Sequence, residues 1–430
     1  MATEYSFFKG PGAFSIFDTM SGLLSERGAD WKPTVEVEKA SLILGDRFEI
    51  PYERLRSIVR SADDHKPLVN YFKGSHRLTL KASMAKLLRE FPEIASCMPT
   101  TFVVGGTNPA MTKKTTRFAS GAFASKPTDE LHLLRVAMQE DPSATWIVKP
   151  SAGCKGKGIV VTRSFEEVAA LVSAVNYGEQ NGVFAVQRYI PNPMLIGGRK
   201  FDIRVWALVA PPYNIYVFDQ GSCRTASTKY SLDDLSDVTA HLTNHDLQEH
   251  ASDFGKYEEG NELWFSALDK HIAEQLPGKT FRADVQPQIH QLIARCLCAA
   301  KDLLEVGSHE PFECFQLFGF DLLLDDALRV HLVEINGSPG SAERWLAPMV
   351  TSLVDVLIDS RFPPVSADAR KAREEQLARV AAQTALDGES ASWTCVWKHT
   401  DRLPFAPREL TDAVDGSCVL VARHVNKVDA

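Results

Sequence analysis

Three sets of residues in this chain have types and spacings suited to chemistry. The stretch KFDIRVWALV places Lys200, Asp202 and Arg204 on one parity and Phe201, Ile203 and Val205 on the other. Successive side chains of a strand point to opposite faces, so one face can enter a core while the other presents cation, anion, cation in line. Three ionised groups in a row are costly to desolvate unless they serve one another or a charged ligand. The plain alternative is a strand with a solvated outer face. A second set is sharper: Asp321 lies in FGFDLLL, Glu334 in HLVEING, and Asn336 two residues further on, sharing a strand face with Glu334. If the two strands pair as a hairpin, Asp321 lies opposite them. Two carboxylates and an amide carbonyl are hard oxygen donors that suit Mg²⁺ held against phosphates. A surface acidic pair is the alternative, disfavoured because both acids are embedded in apolar strands.

The third set is a glycine-rich turn. TWIVKP reads as a strand ending in Lys149, and SAGCKGKGIVV follows with glycines at 153, 156 and 158 before another strand. A strand, a lysine-bearing glycine turn and a strand let backbone N–H groups approach phosphates closely. The Walker spacing GxxxxGK[ST] and its helix are absent, and the glycines open a strand, not a helix as in a dinucleotide fingerprint. HLTNH spaces His241 and His245 by four without the glutamate of HExxH, which makes a zinc protease improbable and a hydrogen-bonding loop the better reading. Arg224, in SCRTAS, reads as a surface group or an anion clamp.

A chain of 430 residues needs two or three domains to hold these sets in place. Its net charge of −8 argues against a general nucleic-acid binder. No apolar run approaches the ~20 residues of a membrane span, and the opening MATEYSFFKGPGAF lacks the regions of a secretory signal. Eight cysteines occur without a CxxC, and Cys296 and Cys298 face apart on a helix, so reduced thiols in a cytoplasmic protein are expected and zinc is not. YSFF, FSIFDTMSGLLSERG and VEKASLILGDRF read as an N-terminal α/β unit. Residues 66–90 then carry Lys66, Lys73, Arg77, Lys81, Lys86 and Arg89 against Glu90 alone, a local balance of +5 and a candidate contact for an anionic partner. Residues 105–130 read as a mobile loop, SFEEVAALVSAV as a helix with Ser164 and Glu167 spaced as a capping box, and FAVQRYI as a strand entering a hinge at Pro191 and Pro193. Residues 233–262 hold nine acids against Lys256, an excess with no reading beyond solvation. QIHQLIARCLCAAKDLLEVG is a buried-face helix, and SADARKAREEQLARVAAQTAL an exposed one, with strand-like ASWTCVW and GSCVLVARHV after it.

Together these blocks resemble the tubulin tyrosine ligase family, a branch of the ATP-grasp enzymes. The resemblance runs through NYFKGSHRLTLKASMAKLL, WIVKPSAGCKGKGI, VQRYI, RKFDIRVWALV, RTAS, HLTNH, GKYEEGNELWF, FQLFGFDLL and VEINGSP, nearly the whole chain to Pro364. KFDIR, HLTN and the E-x-N are shared with glutamylases and glycylases, whereas NYFKG, GKYEEGNE and FQLFGFD look like tyrosine ligase proper. The resemblance implies an α/β (α+β) ATP-grasp fold in three lobes with ATP between the last two. The corresponding boundaries are an N-terminal domain at 1–78, a central domain at 79–191, a C-terminal domain at 192–365 and an extension at 366–430 of unknown role. It implies that Lys149 holds the α/β-phosphates and that the loop with Ser151, Gly153, Lys155, Gly156 and Gly158 covers them. Gln187, Arg188, Tyr189 and Ile190 would form the adenine hinge. Lys200, Asp202, His241, Thr243 and Asn244 would contact the nucleotide, and Asp321, Glu334 and Asn336 would hold magnesium. Lys81, Arg204 and Arg224 would surround the γ-phosphate and the acceptor carboxylate, with Glu334 counted among the catalytic groups. The implied reaction joins free L-tyrosine to the C-terminal glutamate of detyrosinated α-tubulin through an acylphosphate, in a monomeric, cytoskeleton-associated ligase. A glutamylase or glycylase, or a non-catalytic tubulin-binding module, are the alternatives. Arg47 keeps the family pattern, while Glu49 and Leu80 stand where relatives tend to be basic, which bears on how tubulin would dock.

Overall fold

The computed structural model describes residues 4–11, 15–46, 48–58, 65–106, 129–175, 182–385 and 389–405, with the paired strands Glu409–Thr411 and Val419–Val421. Arg47 and residues 107–128, the bulk of the loop expected at 105–130, lie outside them. The N-terminal unit is a parallel sheet of Tyr5–Lys9, Trp31–Pro33, Leu42–Leu44 and Leu68–Val69, completed at one edge by Glu313–Cys314 from far along the chain. The wholly apolar, wholly buried Leu42–Leu44 is what a strand covered on both faces requires.

A second, antiparallel sheet runs in the order Thr101–Gly105, Val183–Arg188, Trp146–Pro150, Val160–Thr162. Trp146, Val148, Phe184 and Val186 bury one face of it against Leu134, Met138, Val168 and Val172 of the helices Leu131–Glu140 and Phe165–Ser173. The opposite parity, with Ile147, Lys149 and Gln187, faces the third sheet across a cleft. The helix Phe165–Ser173 starts where its cap signal places it: Ser164 Oγ accepts from the Glu167 amide at 3.2 Å. The reciprocal half of the expected capping box is replaced, since the Ser164 amide donates to Thr162 Oγ1 at 2.9 Å.

The third sheet has seven antiparallel strands. Its main path is Glu262–Trp264, Asn214–Thr225, Arg199–Ala210, Gln316–Leu324, Val330–Asn336, with Leu195–Ile196 and Trp393–Trp397 added at the sides. The long strand Arg199–Ala210 lies at its centre. Phe201, Ile203, Val205, Ala207 and Val209 bury in a core with Ile289, Ile293 and Leu297 of the helix Gln286–Ala299. The other parity divides: Trp206, Leu208 and Ala210 enter a second core with Phe218, Trp345, Phe7 and Leu44, while Lys200, Asp202 and Arg204 face the cleft. Lys200 and Asp202 are only 6% and 7% exposed, which removes the solvated-face alternative.

The chain past 366 is packed into this layer. Its helix Ala367–Ala385 exposes most of its surface but buries Ala369, Gln376 and Thr384. Gln376 Oε1 accepts from Arg27 Nε at 3.2 Å, beside a buried Arg27–Asp359 ion pair. Trp393–Trp397 then pairs with Asn214–Thr225. The +5 block, by contrast, has three of its six cations drawn into ion pairs with different partners. Its fold into the short helices His76–Thr79 and Lys81–Leu88 sends its cations apart: Lys73 pairs with Glu53, Arg89 with Glu130, and Lys81 with Glu334 inside the cleft. Seven cysteines among the described residues are free, and no described helix is long and apolar enough to cross a membrane.

Candidate active site

The two antiparallel sheets enclose a cavity of about 430 Å³, within the size range of small-ligand sites. The four-stranded sheet contributes Lys149, Gln187 and Arg188, the glycine turn Gly153, Lys155 and Gly156, and the segment after the strand Val183–Arg188 contributes Tyr189 and Ile190. The seven-stranded sheet contributes Lys200, Asp202, Arg204, Arg224, Asp321, Glu334 and Asn336. Lys81 and the loop with His241, Thr243 and Asn244 close the remaining sides. Two expected residues are not on the wall. Ser151 is a buried pin, its Oγ accepting from the Ala82 amide at 3.1 Å and its carbonyl from the Lys81 amide at 3.3 Å. Gly158 sits at the exit of the turn against Pro150. Arg188 reaches the cavity at a strand end, but its side chain turns outward to pair with Asp141.

Register sets the polar geometry. Asp321 is the cross-strand partner of both Glu334 and Arg204, Gly319 of Asn336, and Asp202 of Arg224. The hairpin that the sequence left conditional therefore forms, and the three oxygen-bearing side chains share one face. Asp321 accepts from Arg204 Nε at 2.5 Å and Arg204 Nη2 at 3.1 Å, pairs with Arg224 at 3.1 Å, and accepts from Asn336 Nδ2 at 3.1 Å. Burial pushes the Asp321 carboxyl up, but Arg204 and Arg224 outweigh it and hold it well below the usual carboxylate range. Arg224, ion-paired to Asp202 and Asp321, stays charged well above the ordinary guanidinium range against the opposing effect of burial. Lys81 donates to Glu334 at 2.8 Å and to the Gly153 carbonyl at 2.7 Å. No group of three or more His, Cys, Asp or Glu able to hold a metal gathers among the described residues. The set here is two carboxylates and an amide. Such a set fits an ion whose remaining coordination comes from water and substrate phosphates, as Mg²⁺ prefers, and fits zinc poorly.

Another side of the cavity is organised by buried cations. Lys149 Nζ donates to Gln187 Oε1 at 2.8 Å, and Lys200 Nζ to Tyr189 Oη and to the His241 carbonyl, both at 2.9 Å. His241 Nε2 lies 3.0 Å from the Asp234 carbonyl, which only accepts, so its Nδ1 accepts from Tyr189 Oη at 3.0 Å. Burial also lowers the pKa of His241, in keeping with a neutral ring. In the glycine turn, a Cβ on Gly156 would stand 3.3 Å from Asn244 Oδ1 at a φ of +72°, so glycine lets the turn close onto the HLTNH loop. Lys155 pairs with Asp246 across the same junction.

Lys149 and Lys200 are each pushed down to about 8, with burial the principal cause. Between that value and the ordinary 10.5, the unfolded chain holds more protons than the folded one. Stability must therefore rise with pH across that window, and the penalty of burying the charge is fully present below about pH 8. We expect urea unfolding to show the wild type gaining stability relative to Lys149→Met from pH 8 to 10. A triphosphate's stabilising effect should shrink over the same range as the ammonium charge is lost.

Some of the wall had escaped sequence reasoning. Ile147, Ile159, Leu242, Leu323 and Val333 line the cavity and give it an apolar wall. Parity was the available signal, because Ile147 shares a face with Lys149 and Leu323 with Asp321. The acidic excess at 233–262 also has partners. Glu258 takes both Arg199 Nη1, at 2.8 Å, and Arg199 Nη2, at 2.5 Å, and Asp246 takes Lys155. Nothing local in the sequence assigns those pairings.

Two antiparallel sheets gripping a cavity, with Lys149 on one and Lys200, Asp321 and Glu334 on the other, define an ATP-grasp-like fold. The chain belongs to the tubulin-tyrosine ligase family, whose model matches residues 60–370. Among curated proteins it is similar to a probable tubulin polyglutamylase, ttll-9, of Caenorhabditis elegans, 32% identical over 213 residues, covering 49% of this chain and 50% of the relative. It is 29% identical over 219 residues to a probable alpha-tubulin polyglutamylase, Ttll1, of Tetrahymena thermophila, covering 49% of this chain and 52% of that one. It is 32% identical over 260 residues to tubulin polyglutamylase TTLL6 of Homo sapiens, covering 55% of this chain and 26% of the relative. The chain thus spans about half the length of the first two and a quarter of the third. These names favour the glutamylase alternative; tyrosine ligation, the leading expectation from the sequence, finds no support among them.

Proposed function

We propose that this chain is an ATP-dependent carboxylate–amine ligase that adds glutamate to carboxylates of tubulin's acidic tails. One observation carries the reading: Asp321, Glu334 and Asn336 share a sheet face and, across the cleft, meet the buried Lys149. Lys149 and Lys200 would bind and orient the triphosphate, and Ile147, Leu323 and Val333 would give the base an apolar wall. Asp321, Glu334 and Asn336 would hold Mg²⁺, which supplies charge neutralisation at the phosphates. Lys81, Arg204 and Arg224 would bring the acceptor carboxylate toward the γ-phosphoryl group by offsetting the repulsion of two anions. The activated carboxylate is then an acylphosphate, open to attack by the amine of the second substrate.

The choice of glutamate rests on the names of the relatives and on the cavity wall. That wall includes the cations Arg204 and Arg224 with the small residues Ser338 and Gly340. A tyrosine side chain would want an apolar or aromatic surface there, and a second carboxylate would not. The test supplies detyrosinated tubulin, Mg-ATP and labelled glutamate, tyrosine or glycine in turn. Labelling by glutamate is expected; labelling by tyrosine or glycine alone would refute the specificity. A failure of Mg-ATP to raise the melting temperature would favour a non-catalytic tubulin-binding module.

A further inference from the structure

A row of paired residues crosses the cleft face of the seven-stranded sheet. Asp202 pairs in register with Arg224, and Arg224 with Glu262 on the edge strand Glu262–Trp264. Cross-strand partners share a face and stand about 5 Å apart. Glu262 therefore continues the line of site residues one strand beyond Arg224. The other carboxylates on this face are engaged by cations of the chain itself: Asp202 by Arg224, Asp321 by Arg204 and Arg224, Glu334 by Lys81. Among the described residues Glu262 has neither an ion pair nor a side-chain hydrogen bond, although it is largely enclosed. The charged groups that bear on it are His245, Arg224 and Arg204. Arg224 spends Nε and Nη2 on Asp202 and Asp321, leaving Nη1 outside those bonds.

We propose that Glu262 receives the ammonium group of the incoming amino acid, with Arg224, the same cation that offsets the charge of the acceptor carboxylate, beside it for the α-carboxylate. An α-amino acid carries opposite charges on neighbouring atoms, and Glu262 beside Arg224 presents the complementary pair on adjacent strands. The inference rests on the ligase reading above. Burial raises the pKa of Glu262 against the pull of His245, Arg224 and Arg204, which brings it nearer to that of a proton acceptor for an amine. The ammonium passes one proton to Glu262, and the neutral amine attacks the acyl carbon of the acylphosphate. A C–N bond forms, the C–O bond to phosphate breaks, and the leaving phosphate takes the electron pair and the second N–H proton.

The experiment separates the two half-reactions in the full chain. Tubulin, Mg-ATP and hydroxylamine without amino acid trap the acylphosphate as a hydroxamate, since hydroxylamine is a neutral nucleophile that needs no ammonium site. Glu262→Gln should form hydroxamate within about twofold of wild type, which also shows that it is folded. Its ligation of labelled glutamate should fall about 100-fold, with a raised KM for the amino acid. Glu262→Asp should recover part of that loss. Ligation within threefold of wild type, or an equal loss of hydroxamate and ligation, would overturn the assignment. Absence of hydroxamate with the wild type would instead remove the ligase reading, and the role of Glu262 with it.

Discussion

Asp321→Asn is expected to reduce ligation by about 10³-fold or more, equivalent to about 4 kcal/mol of lost transition-state stabilisation. Among the described residues Asp321 is the one carboxylate joined to Arg204, Arg224 and Asn336 at once. The neutral amide keeps the shape but removes the charge that would meet a divalent cation. It also leaves two enclosed guanidinium groups sharing less negative charge, and losing one partner of a buried pair costs about 3–5 kcal/mol. Both effects should therefore appear together: lost turnover at saturating Mg-ATP and an earlier urea midpoint. Glu334→Gln gives the contrast. Its partner Lys81 also donates to the Gly153 carbonyl, so turnover should be abolished while the unfolding midpoint moves little. Near-normal turnover in either variant would refute the metal assignment.

Arg224→Ala should have the next largest effect. Arg224 bridges Asp202 and Asp321. Removing it sets two buried carboxylates against each other without their shared cation, a change again worth about 3–5 kcal/mol in stability. Affinity for Mg-ATP, measured by calorimetry, should change less than the KM for the tubulin acceptor, because Lys149 and Lys200, the proposed phosphate cations, remain. Arg224→Lys should restore little, since a point charge cannot serve two carboxylates as a planar fork does. Equal losses of nucleotide and acceptor affinity would tell against a role at the acceptor carboxylate.

The alternation in KFDIRVWALV was enough to place Lys200, Asp202 and Arg204 on one face, because strand parity is a local property of the chain. The same rule put Glu334 beside Asn336 and made Asp321 their cross-strand neighbour once a hairpin was assumed. The glycine turn was equally legible, since positive φ at Gly156 is a local demand. Which charges neutralise which was not. Asp321 faces Arg204 and Arg224, Glu334 faces Lys81, and Glu258 faces Arg199 only because strands and helices distant in sequence are laid side by side. The basic block shows the limit from the other side: its six cations look like one surface in sequence, yet Lys81 is buried in the cleft while Lys73 and Arg89 pair elsewhere. Likewise the tail strand Trp393–Trp397 has a clear local pattern, but its seat beside Asn214–Thr225 depends on a long-range pairing. Side-chain direction repeats every two residues and can be read from a short stretch, whereas register between distant strands follows from how the whole core packs. The elements were thus local facts, and the electrostatic partnerships that make them a site were tertiary ones.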